Sequence, residues 1–350
     1  MREFDGYAGP DAGPARAAVG RGCAVQHHGE LMQGAVWRAG ELVSCLITMP
    51  GRGLGSAACY RAEVAKSTVG EWGLAAASLA VGAGRAAAVG LAIGVGCAAD
   101  AGMALEVVPL WKRKAQRAAC LTLAHLGLPV QGRLEVECSV ATGVGLGSST
   151  SDVVAAIRAV AAACGVSLDA GTVARLAIEA EGASDPIMFD REMLLFAQRQ
   201  GRVLESFGAW IPRFAVMSFD ADPAGGGVDT LSLPVPAYTS DELTAFEHLV
   251  TRARAAFGQR DSEALASLAA IATESATLNQ RFLPLRNFGQ ICCLAEEFGA
   301  LGLQISHSGT IGGLLFEPGL AWADVTLEGR IAARMPSIGV RPLGMFTTGD

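Results

Sequence analysis

Apolar and polar positions change period several times along the chain, and each change predicts an element. Leu134, Val136 and Cys138 alternate with Arg133, Glu135 and Glu137, the pattern of a half-buried strand. After a glycine-rich interval, Val153, Val154, Ile157 and Val160 recur at helical spacing as far as Gly165, so a helix follows that strand. Lys112 to Leu126 reads as an earlier helix stopped by Gly127 and Pro129, and Thr172 to Ala180 as a later one. The continuous apolar run Leu42-Val-Ser-Cys-Leu-Ile-Thr48 predicts a buried strand.

The texture changes near residue 200. Thr239-Ser-Asp-Glu242 is a capping box, and Leu243, Phe246, Leu249, Val250 and Phe257 share one face of the helix it opens. Asp261 begins a second helix carrying Leu265, Leu268, Ile271 and Leu278. With strands expected at Phe214 to Phe219 and Ile311 to Phe316, the second half reads as α+β.

At 350 residues and 51% hydrophobic content the chain can bury a large core, and two domains fit that length. We expect a disordered tail at 1–20, a first domain at 21–200 and a second at 201–350. The net charge is −7 and the basic residues form no long block, so no nucleic-acid partner is expected. Nine cysteines without a Cys-x-x-Cys pair suggest neither a zinc site nor a secreted disulfide framework, and a reducing cytoplasm fits best. Gly73 to Ala99 is almost all Ala, Gly, Val and Leu; its uncharged part, Ala86 to Ala99, is shorter than the roughly 18 to 20 residues needed to span a bilayer. No membrane partner is expected, and assembly as a homodimer is left open.

Chemistry concentrates between the strand ending at Cys138 and the helix after it. Gly143, Gly145 and Gly147 let the backbone approach an anion closely, and Ser148, Ser149 and Thr150 place hydroxyls beside the first free N–H groups of the helix. The run reads as a phosphate cradle, with a plain strand-to-helix turn as the alternative. A Walker loop needs Gly-Lys followed by Ser or Thr, and none of the three lysines follows a glycine. A dinucleotide fingerprint is broken by serine at position 148.

Gly145-Leu-Gly-Ser-Ser149 instead resembles the second motif of the GHMP kinase superfamily. His28-Gly-Glu-Leu-Met-Gln-Gly34 is similar to its first motif, and Gly302 to Phe316, with Ser306-His-Ser-Gly-Thr310, to its third. Within the superfamily, Gly29 to Gly34, Ser148 to Asp152 and Ser306 to Thr310 look most like the L-threonine kinase branch of cobalamin side-chain synthesis. Departures are Ala141 for the motif's proline, Thr150-Ser151 for its paired alanines, and His27-His28 where threonine kinases carry small residues.

The resemblance implies a two-domain α+β fold, ribosomal-S5-like then ferredoxin-like, with ATP between them. ATP would lie on Gly143, Val144, Gly145, Leu146, Gly147, Ser148, Ser149 and Thr150, and Mg²⁺ on Ser149 and Glu181. His28, Glu30, Ser306, His307, Ser308, Gly309 and Thr310 would bind the acceptor, a small hydroxy amino acid. Glu181 and Asp185 fall in a loop after the Thr172 helix, where metal binding and base catalysis could be divided between them, and Asp185 is the candidate base. The expected activity is phosphorylation of L-threonine. Homoserine or another small alcohol is the alternative acceptor, and a weakly catalytic ligand sensor the rival class. Lys112 and Lys114 would reach nucleotide phosphates or simply end a solvated helix.

Overall fold

A computed structural model describes residues 18–62, 104–138, 148–189, 191–223, 236–306 and 310–349. The Gly73 to Ala99 stretch and residues 1–17 lie outside them.

The chain opens with two long antiparallel strands, β1 (Val19–Arg38) and β2 (Glu41–Arg61). They pair from Val19 opposite Arg61 to Arg38 opposite Glu41, with register shifts between Ala24 and Met32. Ala39 and Gly40, both at positive φ, make the tight connection. The expected strand at Leu42 to Thr48 is one half of β2. Pairing with β4 (Gln131–Cys138) occupies its other half, from Ser56 opposite Cys138 to Arg61 opposite Arg133. β3 (Ala104–Val108) runs parallel to β4, while β5 (Met193–Ala197) meets β2 at Leu46 and pairs with β6 (Arg202–Gly208). The first sheet is therefore β3-β4-β2-β5-β6, with β1 on β2.

Three helices cover it: α1 (Arg113–His125), α2 (Ser148–Ala163) and α3 (Ala170–Glu181). Their apolar stripes close a core around Tyr60, Leu105, Leu134, Val153, Ile157, Leu176 and Phe196. α2 lies almost backbone to backbone on β1. A Cβ on Gly20 would come within 2.1 Å of the Ala159 carbonyl oxygen, and one on Gly22 within 2.2 Å of that of Ala155. Gly22→Ala should therefore push α2 off the strand and destabilise the chain by at least about 1–3 kcal/mol, measured by urea unfolding.

The second sheet, β10-β7-β9-β8, is antiparallel throughout. Its strands are β7 (Ala215–Asp220), β8 (Gly302–Ile305), β9 (Ile311–Phe316) and β10 (Arg341–Thr347). Both faces are covered. Val216 and Leu315 join a core with Met32 and Ile47 of the long hairpin and with Phe246, Leu249 and Leu268 of α4 (Ser240–Gln259) and α5 (Ser262–Asn279). Met217, Phe219 and Leu314 point the other way, toward α6 (Phe288–Glu297), α7 (Pro318–Ala323) and α8 (Leu327–Arg334). The hairpin's far half thus belongs to the core between the two sheets.

Helix starts follow the expected caps. Thr239 Oγ1 accepts from the Glu242 amide at 3.2 Å while Glu242 Oε2 accepts from that of Thr239 at 2.7 Å, and Asp261 Oδ1 accepts from the Ala264 amide at 2.9 Å. No helix among the described residues is long and apolar enough to cross a membrane.

Candidate active site

Ser148 is the first residue of α2, and the glycine turn before it, Gly143 to Gly147 with Val144 and Leu146, lies outside the described residues. At the start of α2 every side chain from Ser149 to Asp152 is engaged. Ser149 Oγ donates to Glu181 Oε2 at 3.0 Å, and Thr150 Oγ1 to Asp185 Oδ2 at 3.4 Å. Ser151 Oγ donates to the Val25 carbonyl at 2.8 Å, pinning the helix start to β1. Asp152 accepts from Ser56 Oγ at 2.7 Å and from Lys112 Nζ, all three groups being buried. Lys112 is therefore neither a solvated helix end nor a free phosphate ligand: it holds the head of α1 to the head of α2. A helix start fixed on four sides keeps its unpaired N–H groups and the positive end of its dipole in one place, which is what anion binding requires.

The second contribution comes from the end of α3. Asp169 caps its start by accepting from the Thr172 amide, and Gly182 ends it in the left-handed conformation at φ 84°. Glu181 is thus the last helical residue, 4% exposed, rather than a loop acid. Its Oε1 is buried with no hydrogen-bond partner. Burial raises its carboxyl to about 7, with Lys114 opposing and Asp185 adding to the shift. The next turn is tied down by the Ser184 amide, which donates to the Gln198 carbonyl at 2.9 Å, and it sets the Asp185 carboxylate against Thr150.

The third contribution is β1. His27 Nε2 stands 2.8 Å from Asp185 Oδ2. Burial would lower the His27 pKa, but Asp185 first, then Glu30 and Glu181, outweigh it and raise the imidazole to about 9. At neutral pH the pair is an imidazolium and a carboxylate. His28 is its opposite: burial, together with the charge of His27, holds it at about 3. Its Nε2 lies 2.7 Å from Ser218 Oγ and its Nδ1 2.6 Å from the Gln304 amide, against the ring of Phe346. Both nitrogens are used in joining β1 to the second sheet, so the structure keeps His28 as a neutral link between sheets and offers no free ring nitrogen to an acceptor.

Glu30 is 2% exposed on the same strand. Ser306 and Thr310 are buried at the two ends of the third motif's turn, closed by the Ser306 amide donating to the Ile311 carbonyl at 2.7 Å; His307, Ser308 and Gly309 lie outside the described residues. A cavity of about 370 Å³ opens beside His27 and reaches Pro186 and Ile187, the residues directly after Asp185.

Ser149, Thr150, Glu181, Asp185 and His27 are therefore one cluster drawn from α2, α3 and β1. The His27–Asp185 contact and the Lys112–Asp152–Ser56 network had no signal in the sequence, since neither depends on local spacing.

Residues 113–189, which run from α1 through Ser149, Glu181 and Asp185, match the family model described as the GHMP kinases N terminal domain. Solved structures agree across nearly the whole chain. A homoserine kinase from Cytophaga hutchinsonii ATCC 33406 superposes with TM-score 0.57 at 12% identity, covering 98% of this chain and 97% of its own. The L. major mevalonate kinase, solved with R-mevalonate, gives 0.58 at 16%, covering 96% of each. The chain has the GHMP kinase fold. In sequence it is 28% identical over 205 residues to the L-threonine kinase of Citrobacter freundii, a match covering 55% of this chain and 65% of that relative. The chain thus spans just under two thirds of the length of the curated relative it matches, and the solved structures, at such low identity, bear on fold alone.

Proposed function

We propose that this GHMP-fold chain is a cytoplasmic phosphotransferase that moves the terminal phosphoryl group of ATP to the side-chain hydroxyl of a small hydroxy amino acid, with L-threonine among its acceptors. The observation that carries this reading is the convergence at the head of α2: two hydroxyls, Ser149 and Thr150, each bonded to a carboxylate, Glu181 and Asp185, with the imidazolium of His27 on the second. Similarity to an L-threonine kinase supports the choice of acceptor.

Phosphoryl transfer depends mainly on positioning and charge neutralisation. The triphosphate would lie along Gly143 to Thr150, its charge met by the amides and dipole of α2. The acceptor oxygen forms a new bond to the terminal phosphorus as the bond from phosphorus to the bridging oxygen breaks, releasing ADP. The hydroxyl proton passes to the Asp185 carboxylate, which His27 and Thr150 orient. Ser149 and Glu181 fit a hard cation, because both offer oxygen and Glu181 Oε1 is buried without a partner. Bound there, Mg²⁺ would neutralise phosphate charge.

ADP release measured over L-threonine, L-homoserine, L-serine and mevalonate tests the reading. Turnover with L-threonine and formation of O-phospho-L-threonine are expected; nucleotide binding with no ADP from any acceptor would favour a sensor instead. Glu181→Gln should raise the Mg²⁺ concentration for half-maximal rate by at least about tenfold, and weaken Mn²⁺ binding followed by electron paramagnetic resonance in parallel.

A further inference from the structure

Resting on that reading, we propose that the acceptor site is built for β-hydroxy-α-amino acids whose β-substituent is apolar and larger than the methyl group of threonine. The cavity beside the cluster carries this. Its walls are Val25, Ile187, Phe189, Met193, Leu194 and Ile211, drawn from β1, from the loop after Asp185, from β5 and from the segment before β7. At about 370 Å³ it falls in the range of pockets that enclose ligands well above the size of a four-carbon amino acid. A methyl group would leave most of that wall without a partner.

Gln26, His27, Thr48 and Glu192 are its polar lining; Glu192 is exposed, whereas His27 at 4% exposure and Thr48 at 9% are at least nine-tenths buried. His27 Nδ1 and Thr48 Oγ1 have no hydrogen-bond partner. Because Asp185 holds the imidazole protonated, Nδ1–H is a donor, and Thr48 can donate beside it. Together they suit the carboxylate of an amino acid. The hydroxyl then lies toward Asp185, on the other nitrogen of the same ring, and the β-substituent enters the apolar part of the cavity. One imidazolium thus separates the reacting end of the acceptor from the end that is recognised.

The full chain is tested with ATP and Mg²⁺ against L-threonine, threo-β-hydroxyleucine and threo-β-phenylserine, reading ADP and the phosphorylated product by mass spectrometry. The larger acceptors are expected to exceed L-threonine in kcat/KM by about tenfold or more, since each added apolar group of this kind is worth roughly that in a hydrophobic pocket. Ile211→Trp, which fills the cavity, should reverse the order, and Ile187→Phe provides a second filling variant should the first not fold. If L-threonine is turned over best and neither variant moves the ratio, this inference fails and the kinase reading stands. If no acceptor yields ADP, the kinase reading fails, and the pocket is judged by saturation-transfer NMR with β-phenylserine: binding lost on filling the cavity upholds it, and no binding to the unaltered chain overturns it.

Discussion

Asp185→Asn is expected to lower kcat for acceptor phosphorylation by about 10² to 10⁴ while leaving the dissociation constant of an ATP analogue within about threefold of its original value. The substitution is nearly isosteric. An asparagine oxygen can still accept from Thr150, which lies 3.4 Å away, so the turn keeps its shape. What is lost is the group that takes the hydroxyl proton, together with the negative charge facing His27. Nucleotide affinity is spared because it depends on the head of α2, which Ser151, Asp152 and Lys112 anchor independently of Asp185. The same variant should change His27. Without the carboxylate, burial is opposed only by Glu30 and Glu181, so the imidazole pKa must fall from about 9, and ¹⁵N NMR of the ring follows it directly. A variant that retained full kcat would remove Asp185 from the chemistry. One that lost activity and nucleotide binding together would show that the residue supports the fold.

The cluster was only partly legible in the sequence, and the division has a physical cause. Ser149, Thr150, Glu181 and Asp185 could be named because a glycine turn feeding a helix, and two acids spaced by four, are local patterns. α1, α2, α4 and α5 were legible for the same reason: caps and helical periods act over a few residues. β1 was not. From Leu31 to Val36 it is buried continuously, Leu31, Met32 and Val36 all joining the core that holds α4 and α5, so no alternation marks it as a strand. The two faces of β7 were hidden likewise, Val216 and Met217 facing different cores. Glu181 closes α3 instead of standing in the expected loop, although Gly182, a ready C-terminal cap, marks the helix end beside it. The histidines were the least legible. As neighbours on an extended strand they point to opposite sides, and only the elements that close on each side decide that one meets a carboxylate and the other a serine and an amide.

That divergence also sets how stability depends on pH. Both histidines start from 6.5, His27 rising to about 9 and His28 falling to about 3 in the folded chain. A raised group contributes stability that is complete below its unfolded value and lost as pH climbs toward its folded one; a lowered histidine does the reverse, losing stability as pH drops below 6.5. Glu181 enters as well, since its rise from 4.5 to about 7 favours the folded state at low pH and fades across that interval. Between about 4.5 and 6.5 the losses from Glu181 and the gains from His28 oppose each other, so stability should be nearly level. Below 4.5 the His28 limb falls alone. Above 6.5 the His27 limb takes over and removes about 3 kcal/mol by pH 9. His27→Gln should therefore abolish most of the alkaline decline in urea-unfolding free energy while leaving the acid limb in place, and His28→Gln should do the converse. An alkaline decline of equal depth in His27→Gln would mean that the imidazolium is not held by Asp185 in the folded chain. The orientation of Asp185, and the donor offered to the acceptor carboxylate on the far side of the same ring, would then both have to be sought elsewhere.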